Sequence, residues 1–396
     1  MSRPTAIVVG GSLGGLNAAL NVRDAGFSVE VLERSRSPLL GQGAGIVLNP
    51  ATVRYLVDHD VVDLAAVSLA TGVLRYLDAS GDVAAEHPEP YRFASYDALY
   101  RALMGALGSE RYRLGSDVVG FSGCDGDPVS VTLASGASQR ADLLVCADGV
   151  RSASRARLAP DAATSYAGYV AWRGTAGAGR LSTAARAAFD GAITYCVMPN
   201  SHALVYAIPG PGGGDHRLNW LWYRNVSEGA ELDLVMTDRA GRRRDISLPP
   251  GLVPESRLRA LRADAAVALP PPIAEVVAAT PEPFIQAVVD IEVPRMATGR
   301  VCLIGDAAFA LRPHAAAGAA KAAEDAYRLG RALADAGGDV TTALAAWEPG
   351  QLDLGRAVMA RTRAAGRQSQ FDNTWAVGQP LPFGLYAAGD SAMAAA

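Results

Sequence analysis

The sequence has no marked excess of charge of either sign. Its 396 residues carry a formal net charge of −4, and acidic and basic residues are interspersed along the chain. Proteins that bind nucleic acid usually carry a basic face or tail, and this sequence has neither. We therefore expect no nucleic-acid partner and a small molecule as the ligand.

Cysteines, clustered histidines and long apolar runs are scarce as well. The four cysteines lie far apart without a C-x-x-C pair, which excludes a disulfide framework and indicates reduced thiols in a cytoplasmic protein. The five histidines lack the spacing of metal ligands, so we expect no metal site. No apolar stretch reaches membrane-spanning length, and the first strand begins too early to leave room for a signal peptide, so we expect no membrane association. The cysteines are Cys124, Cys146, Cys196 and Cys302.

Apolar sequence, by contrast, is plentiful. Half of the residues are apolar, enough for a large core in about two domains. Residues 5–33 predict a strand, a glycine-rich turn, a helix and a second strand, which form one βαβ unit. Residues 96–107 predict a helix, and alternating, aromatic-rich segments over 165–285 predict a separate, largely antiparallel sheet. A buried strand and Ala-rich helices follow, and residues 390–396 are expected to be a loose end.

A glycine-rich turn follows the first predicted strand. The stretch VVGGSLGG fits the dinucleotide-binding pattern Gly10-x-Ser12-x-x-Gly15, in which the glycines permit a tight turn and close helix-to-strand packing. The phosphates of a dinucleotide would then meet free N–H groups at the helix start. Glu33 ends the second strand about 18 residues after Gly15, near the place where a carboxylate accepts hydrogen bonds from the adenosine ribose. Together these features predict an adenine-dinucleotide site.

The turn and Glu33 each have an alternative interpretation. Residues Gly10 to Gly14 match G-x-S-x-G, the nucleophile elbow of α/β hydrolases, with Ser12 as the nucleophile. That elbow needs earlier strands beneath it and an acid and a histidine downstream, whereas Ser12 lies on the first strand-turn. Glu33 could also be an ordinary strand-end acid paired with Arg34. Dinucleotide binding is the favoured hypothesis.

Two further motifs follow in a recognisable order. They are DLLVCADGVRS at residues 142–152 and GDAAFALRPHAAAGAAKAAEDA at residues 305–326. With the first turn and Glu33, they resemble the aromatic-hydroxylase group of flavoprotein monooxygenases (class A), typified by para-hydroxybenzoate hydroxylase. The segments YAGYVAWRG at 166–174 and NWLWYRN at 219–225 look most like the 2,6-dihydroxypyridine 3-hydroxylases and near relatives. The resemblance therefore covers nearly the whole chain.

The resemblance implies a fold and a domain arrangement. The fold would be α/β, with a Rossmann-like FAD-binding domain, an interleaved antiparallel-sheet substrate domain and C-terminal helices. Whether two copies form a homodimer stays open. The FAD-binding domain would comprise residues 1–74, 91–164 and 286–345, the substrate domain residues 75–90 and 165–285, and a C-terminal helical segment residues 346–396.

The resemblance also implies an activity, the FAD-dependent hydroxylation of an electron-rich aromatic or N-heteroaromatic ring such as a phenol or hydroxypyridine. NAD(P)H would reduce FAD, and the reduced flavin would take up O₂ as a C4a-hydroperoxide that attacks the ring. Such an enzyme must exclude water and hold the ring in a dry pocket. The alternatives are a flavin-dependent halogenase or reductase on the same fold and a flavin-binding protein without activity.

Several residues are assigned to FAD by the resemblance. Asp306 would hydrogen-bond the ribityl chain, Pro313 would border the isoalloxazine ring, and Asp148 would lie near the pyrophosphate. The helix start at 318–320 would offer N–H groups to the pyrimidine edge, where a helix N-terminus stabilises the negative charge of reduced flavin. The full set of candidate FAD-contacting residues is Gly10, Ser12, Leu13, Gly15, Glu33, Arg34, Gly45, Asp148, Asp306, Pro313, Gly318, Ala319 and Ala320.

Three side chains are candidates for assisting deprotonation of the ring. His202 and Tyr206 lie four residues apart in a predicted strand, so both can face the flavin from one side, and His314 directly follows a proline in the third motif. Each stays a hypothesis, because a histidine or tyrosine with a purely structural role would give the same sequence pattern. On the helix that follows, Lys321 and Glu324 are expected to form a surface ion pair.

Two positions depart from the family pattern. Tyr96 stands where many relatives have an arginine beside the FAD phosphates, a role that Arg92 or Arg101 would then take. Phe309 replaces a histidine that is expected on the rim of the site. Neither change removes a residue on which the prediction of FAD binding depends.

Overall fold

The computed structural model describes residues 3–41, 45–123 and 128–393, so Cys124 and residues 394–396 lie outside the described part. The helices are α1 (Leu13–Asp24), α2 (Pro50–Asp58), α3 (Leu64–Val67), α4 (Tyr96–Leu107), α5 (Ala153–Leu158), α6 (Thr183–Ala187), α7 (Ala230–Val235), α8 (Glu255–Ala268), α9 (Pro271–Ala279), α10 (Gly318–Asp335) and α11 (Val340–Arg367). The strands are β1 (Thr5–Val9), β2 (Ser28–Leu32), β3 (Gly45–Val47), β4 (Ser68–Leu77), β5 (Val83–Ser95), β6 (Tyr112–Arg113), β7 (Val118–Ser122), β8 (Val129–Leu133), β9 (Ser138–Ala141), β10 (Leu143–Cys146), β11 (Thr164–Gly177), β12 (Ala192–Met198), β13 (Ser201–Ile208), β14 (Arg217–Asn225), β15 (Ser247–Leu248), β16 (Phe284–Glu292), β17 (Ala297–Thr298), β18 (Val301–Leu303) and β19 (Phe309–Ala310).

The βαβ unit at the start of the chain forms the centre of a mainly parallel sheet. The strand order is β17, β18, β10, β1, β2, β6, and the edge strand β17 runs antiparallel to β18. Strands β10 and β18 are buried along their whole length and are apolar without alternation, as expected for parallel strands covered on both faces. The predicted α/β fold class is confirmed.

Each of the three sequence motifs follows one strand of this sheet. The glycine-rich turn follows β1, the loop with Asp148 follows β10, and the Gly305–Ala307 turn follows β18. These three strands are parallel neighbours. Because the carboxyl ends of parallel strands meet at one edge of a sheet, the motifs form one continuous surface.

A second sheet is largely antiparallel, as predicted. Its strand order is β15, β16, β11, β14, β13, β12, β4, β5, β3, with β4 and β12 as a parallel pair. The sheet takes in β3 to β5 and β16, so it extends past residues 75–90 and 165–285. The domain limits themselves stay a prediction. Strands β7, β8 and β9 form a small third sheet.

Side chains on the second sheet alternate between two apolar clusters. On β14, Trp220 and Trp222 pack with residues of α8 and α9, whereas Leu221 and Tyr223 belong to a cluster on the opposite face. This is the period-two pattern of a strand, in which successive side chains point to opposite faces. The face that carries Tyr223 is turned toward the cavity described below.

The predicted helix at 96–107 is confirmed as α4. The Ser95 hydroxyl accepts a hydrogen bond from the Ala98 N–H and caps the helix start. Gly108, with φ of +89°, follows the last helical residue in a backbone conformation that glycine adopts without strain.

The end of the chain is anchored by a carboxylate. The Asp390 carboxylate accepts hydrogen bonds from the N–H groups of residues 385–387. The Asn49 amide donates to both Asp390 and Ser391, and Ser391 is buried. The expectation of a loose end is therefore wrong for residues 390 and 391, because the Asp390 carboxylate is hydrogen-bonded to neighbouring backbone N–H groups. Residues 373–393 form no helix, so the helical part of the C-terminal segment ends at residue 372.

Candidate active site

A cavity of about 730 Å³ lies between the edge formed by the three motifs and the inner face of the antiparallel sheet. Cavities of this size and setting commonly bind small molecules and cofactors. The predicted site residues that line it are Ser12, Leu13, Gly45, His202, Tyr206, Asp306, Pro313, His314, Gly318 and Ala319. Those that lie outside its lining are Gly10, Gly15, Glu33, Arg34, Asp148 and Ala320.

The glycine-rich turn leaves no room for side chains at two positions. Gly10 has φ of +93°, and a Cβ atom there would lie 2.4 Å from the carbonyl oxygen of Ala147. A Cβ atom on Gly15 would lie 1.8 Å from the carbonyl oxygen of Gly10. Both glycines are therefore required for the close packing of the turn, as the dinucleotide pattern predicts.

Ser12 has a phenol, not a histidine, as its partner. Its hydroxyl lies 2.9 Å from the Tyr96 hydroxyl. A nucleophile elbow requires an imidazole base at this distance. The arrangement therefore disfavours the hydrolase hypothesis, and it gives Tyr96 a place beside the turn where many relatives have arginine.

Glu33 supports the turn from beneath. Its carboxylate, 6% exposed, accepts hydrogen bonds from the N–H groups of Gly11 and Ser35, each at 2.8 Å. Arg34 is exposed, and within the described ranges it forms no ion pair with Glu33. The alternative of a simple Glu33–Arg34 pair is thus wrong. Each carboxylate oxygen keeps lone-pair capacity for a further donor.

Asp148 holds its own loop in shape. Its carboxylate accepts hydrogen bonds from the Ser152 hydroxyl at 2.6 Å and the Ser154 N–H at 3.1 Å. Its neighbours Ala147 and Gly149 line the cavity, whereas Asp148 does not. The structure places it one residue away from the cavity surface.

Arg155 connects two of the motifs without lining the cavity, and the sequence analysis missed it. Its guanidinium is buried and donates to the carbonyl oxygens of Val150 at 2.7 Å and Ala307 at 3.2 Å, which ties the second motif to the third. Burial lowers its pKa, while Asp148 and Asp306 oppose that shift. An arginine a few residues after a predicted phosphate loop is the signal that could have identified it.

Asp306 directs an unpaired carboxylate into the cavity. Its side chain is open to the cavity but is otherwise enclosed by protein, and this burial raises its pKa to about 6 against the opposing charge of Arg155. In the described part of the chain no donor hydrogen-bonds it. A carboxylate that faces the cavity without a protein donor is free to accept a hydrogen bond from a ligand. The position fits a hydroxyl of the FAD ribityl chain.

The start of α10 borders the same end of the cavity. Pro313, Gly318 and Ala319 line the cavity, and no side chain caps the first turn of the helix. Unpaired N–H groups and the helix dipole favour negative charge at such an end. Small residues let a planar ring approach the backbone, so this surface also fits FAD. Ala320 is buried behind it.

The opposite wall is aromatic. Tyr195, His202, Tyr206 and Tyr223 project from β12, β13 and β14 on one face of the sheet. Gly45 faces this wall, since a Cβ atom there would lie 2.5 Å from the Tyr206 ring. Burial raises the pKa of the three phenols well above the ordinary range, so they are neutral.

Two neutral imidazoles lie between the walls, with ring centroids 5.4 Å apart. His202 Nδ1 is 3.0 Å from the Gln370 amide nitrogen, and His314 Nε2 is 2.7 Å from the Tyr169 hydroxyl. Burial lowers the pKa of His202 well below its usual value. Burial and the nearby Arg312 lower the pKa of His314 to about 3. Both side chains can therefore exchange hydrogen bonds with a ligand without carrying charge.

The C-terminal segment closes one side of the cavity, which the sequence did not suggest. Trp375, Pro380, Pro382 and Phe383 all line it. The Trp375 ring meets the His202 ring edge-on with centroids 4.9 Å apart. The anchored chain end thus supplies part of the binding surface.

The expected surface pair of Lys321 and Glu324 is wrong. Both side chains are buried, and Glu324 binds Arg54 at 2.5 Å, Arg328 at 2.7 Å and the Tyr386 hydroxyl. Lys321 binds another acid, described below. Helical spacing predicts that side chains are neighbours, but not which of them the rest of the fold covers.

The other departures from the family pattern also have definite places. Phe309 is buried in β19 and does not line the cavity, so it lies away from the rim. Arg92 is buried and donates to the Ser68 hydroxyl, and Arg101 is exposed. Neither arginine lines the cavity.

Neither a cluster of metal ligands nor a membrane helix occurs in the described ranges. Across residues 3–41, 45–123 and 128–393, no three His, Cys, Asp or Glu side chains come together as metal ligands would. Within the same ranges, no helix combines the length and apolar character needed to cross a bilayer.

Comparison with known proteins identifies the class. A family model described as FAD binding domain-like matches residues 166–290. The chain is 38% identical over 381 residues to the 2,6-dihydroxypyridine 3-monooxygenase of Paenarthrobacter nicotinovorans, an alignment that covers 96% of this chain and 95% of that protein. The chain therefore belongs to the FAD-dependent aromatic-ring hydroxylases, the class A flavoprotein monooxygenases.

Solved structures agree. The structure of 2,6-dihydroxypyridine-3-hydroxylase from Arthrobacter nicotinovorans matches with a TM-score of 0.92 at 37% identity and covers 98% of each chain. A complex of Klebsiella pneumoniae HpxO with FAD and uric acid shares the fold, with a TM-score of 0.75 at 23% identity over 94% of this chain and 90% of that one. The protein is an FAD- and NAD(P)H-dependent monooxygenase of an aromatic ring, which confirms the main hypothesis from the sequence.

Two variants separate the roles of the glycine-rich turn. We expect Ser12→Ala to keep its flavin and to change turnover by no more than about fivefold, because it loses one hydrogen bond. We expect Gly15→Ala to lose flavin, because its new methyl group would overlap the Gly10 carbonyl. The visible flavin absorbance of each purified variant measures how much flavin it keeps, and the turnover of Ser12→Ala is measured as well. A Ser12→Ala protein with full flavin but no turnover would contradict this assignment.

Asp390 is expected to hold the C-terminal wall in place. Asp390→Ala removes the acceptor of three backbone N–H groups, so amide hydrogen exchange of residues 385–387 should accelerate by about tenfold or more. Asp372→Ala is the matched control, because its carboxylate pairs with Arg367 at the surface. Mass spectrometry measures the exchange. Equal exchange rates at residues 385–387 in both variants would refute the role of Asp390 as an anchor.

Proposed function

We propose that the substrate is a hydroxypyridine, or a similar hydroxylated ring, bound in the aromatic half of the cavity with an ionised oxygen directed at Arg173. The charge of Arg173 carries this proposal. The side chain lines the cavity, and its guanidinium donates to the neutral Gln286 amide oxygen at 2.6 Å. Among the described residues it forms no ion pair. A cation that faces an apolar cavity without a counter-ion favours an anionic ligand.

The relative that is 38% identical supports the same ring class. Its name specifies 2,6-dihydroxypyridine. A dihydroxylated pyridine loses a proton easily enough to present an anionic oxygen. The aromatic wall formed by Tyr195 and Tyr223 suits a flat, electron-rich ring. We therefore place 2,6-dihydroxypyridine first among the compounds to test.

We further propose that FAD lies along the parallel-sheet edge. Gly10, Ser12, Leu13 and Gly15 would hold its pyrophosphate, with Asp148 nearby. Glu33 and Arg34 would hold the adenosine end. Asp306 would hold the ribityl chain. Pro313, Gly318, Ala319 and Ala320 would border the ring system, and Gly45 would lie opposite. When bound and reduced by NAD(P)H, FAD would activate O₂, of which one oxygen atom goes to the ring and the other to water.

The imidazoles are proposed to orient the ring and hold a proton near its oxygen. In the orientation shown, the Gln370 amide donates to His202 Nδ1, so the proton of this neutral imidazole resides on Nε2 and can be donated to a ring oxygen. His314, fixed by the Tyr169 hydroxyl, and Tyr206 offer further hydrogen-bonding groups on the same side. The three residues would thus favour one pose of the ring.

We also propose that the enzyme is cytoplasmic. A homodimer is the oligomeric state to test first. The buried positions of Cys146, Cys196 and Cys302 support a reducing compartment. Light scattering after size-exclusion chromatography measures the mass of the assembly.

The first experiment follows flavin reduction in the purified holoenzyme. The flavin absorbance is recorded after addition of NADH or NADPH, with and without 2,6-dihydroxypyridine. We expect the flavin band to bleach much faster with the ring compound present. A flavin band indifferent to 2,6-dihydroxypyridine and to simple polyphenols would overturn the proposed ring class, while the family assignment would stand.

Arg173→Met tests the anion contact. We expect the variant to bind FAD normally and to bind the ring about tenfold to a hundredfold more weakly, as for loss of a hydrogen bond to a charged group. Titration of the flavin spectrum with the ring compound gives the dissociation constant. Arg173→Lys is the control, which keeps the charge and should recover part of the affinity. Unchanged binding by Arg173→Met would refute the contact.

The pH dependence tests the neutral imidazoles. Burial lowers both histidine pKa values, that of His314 to about 3, so neither imidazole should titrate near its ordinary value of about 6.5. The pH profile of kcat/KM should therefore keep its shape in His314→Gln, although its height falls. A step near pH 6.5 that disappears in this variant would show that His314 carries charge in the free enzyme.

A further inference from the structure

Lys321 is the only lysine of the chain, and every other member of its 36 Lys and Arg residues is an arginine. This one ammonium group lies inside the protein, with 1% of its side chain exposed. Its Nζ lies 2.6 Å and 2.8 Å from the two carboxylate oxygens of Asp325, one helical turn further along α10. The chain therefore uses lysine only at a buried ion pair.

The Asp325 carboxylate makes a third contact, outside its own helix. It accepts a hydrogen bond from the Gly305 N–H at 3.0 Å. Gly305 has φ of +56°, and a Cβ atom there would lie 2.9 Å from the Ala322 Cβ on α10. The turn that carries Asp306 is thus pressed against α10 and held there by Asp325.

Stability alone does not account for this pair. Burial raises the pKa of Asp325, and the charge of Lys321 opposes that shift. A buried ion pair seldom stabilises a fold more than apolar side chains of similar volume. The Lys321 ammonium also lies 5.0 Å from the centre of the Phe309 ring, which closes its other side. A compact ammonium suits this enclosed space, whereas a guanidinium fork needs more room.

The Lys321–Asp325 pair connects the two elements that are proposed to contact the flavin. One is the Gly305–Ala307 turn, which directs Asp306 into the cavity, and the other is the first turn of α10. Asp325 is hydrogen-bonded to the first element and belongs to the same helix as the second. A change in this contact would shift Asp306 relative to the helix start.

We propose that Lys321 and Asp325 are positioning residues for FAD, in which Lys321 orients the Asp325 carboxylate and Asp325 fixes the Gly305 N–H, so that Asp306 is held at its place in the cavity. This inference rests on the proposed contact between Asp306 and FAD. Neither residue touches the cavity itself.

Two uncharged double variants test the role of the acceptor. In K321Q/D325N the asparagine oxygen can still accept from Gly305, and its amide can donate to the glutamine. In K321M/D325L the volume is similar but the acceptor is gone. Apoprotein of each is titrated with FAD, and the quenching of flavin fluorescence gives the dissociation constant. Thermal unfolding of the apoproteins shows whether each is folded.

We expect K321Q/D325N to bind FAD within about threefold of the parent and K321M/D325L to bind about tenfold more weakly or worse, with both apoproteins folded. Equal FAD affinity of the two variants would overturn the positioning role. If K321M/D325L does not fold, K321L/D325M removes the same acceptor with a different packing and answers the same question.

Asp306→Ala separates this inference from the proposed function. If that variant binds FAD as well as the parent, the proposed contact of Asp306 fails, and the positioning role fails with it. If Asp306→Ala weakens FAD binding while the two double variants bind equally, only the positioning role fails. The single lysine adds a spectroscopic readout, since lysine-selective ¹³C labelling yields one side-chain signal. We expect that signal to move when FAD binds to the parent, and an unmoved signal would count against the coupling.

Discussion

The parallel pairing of β1 with β10 and of β10 with β18 is the constraint on which the site depends. It brings three turns from distant parts of the chain to one edge, where each presents backbone groups to the same cavity. The turns also contact one another, because Gly10 packs against the Ala147 carbonyl and Arg155 donates a hydrogen bond to the Ala307 carbonyl. A shift of one strand would move the backbone groups of the three turns apart. The shape of the cavity therefore depends on the register of the sheet.

Local patterns in the sequence predicted local structure well. The βαβ unit, helix α4 and the alternation of β14 follow from periodicity, glycine positions and a serine cap, all of which act over a few residues. The structure also places Asp306, assigned from the family resemblance, and His202, assigned from its spacing in a predicted strand, on the lining of the cavity. The partners of charged side chains did not. Lys321 and Glu324 have the spacing of a surface pair, but elements far away in the sequence cover that face of α10, and burial then selects other partners.

The residues that the sequence analysis missed share one property. Arg155, Arg173 and Asp390 act through contacts with chain segments that are distant in sequence or through a turn without periodicity. The C-terminal segment has no helical or strand pattern. It is held by the Asp390 carboxylate, which accepts from three N–H groups, and by Arg361 and Tyr76, which donate to its carbonyl oxygens. Such groups become visible only when the three-dimensional neighbours of each polar atom are known.

The two charged side chains that line the cavity have opposite sign. Among the described residues that line it, Asp306 and Arg173 are the only Asp, Glu, Lys or Arg side chains, and neither has an ion-pair partner. Between them the histidines and tyrosines are neutral, because burial lowers the pKa of the first and raises that of the second. A carboxylate that lacks a donor suits a hydroxylated chain, and a guanidinium that lacks a counter-ion suits an ionised ring oxygen. The two ends therefore suit chemically different partners, as the proposed placement of a cofactor and a ring in one cavity requires.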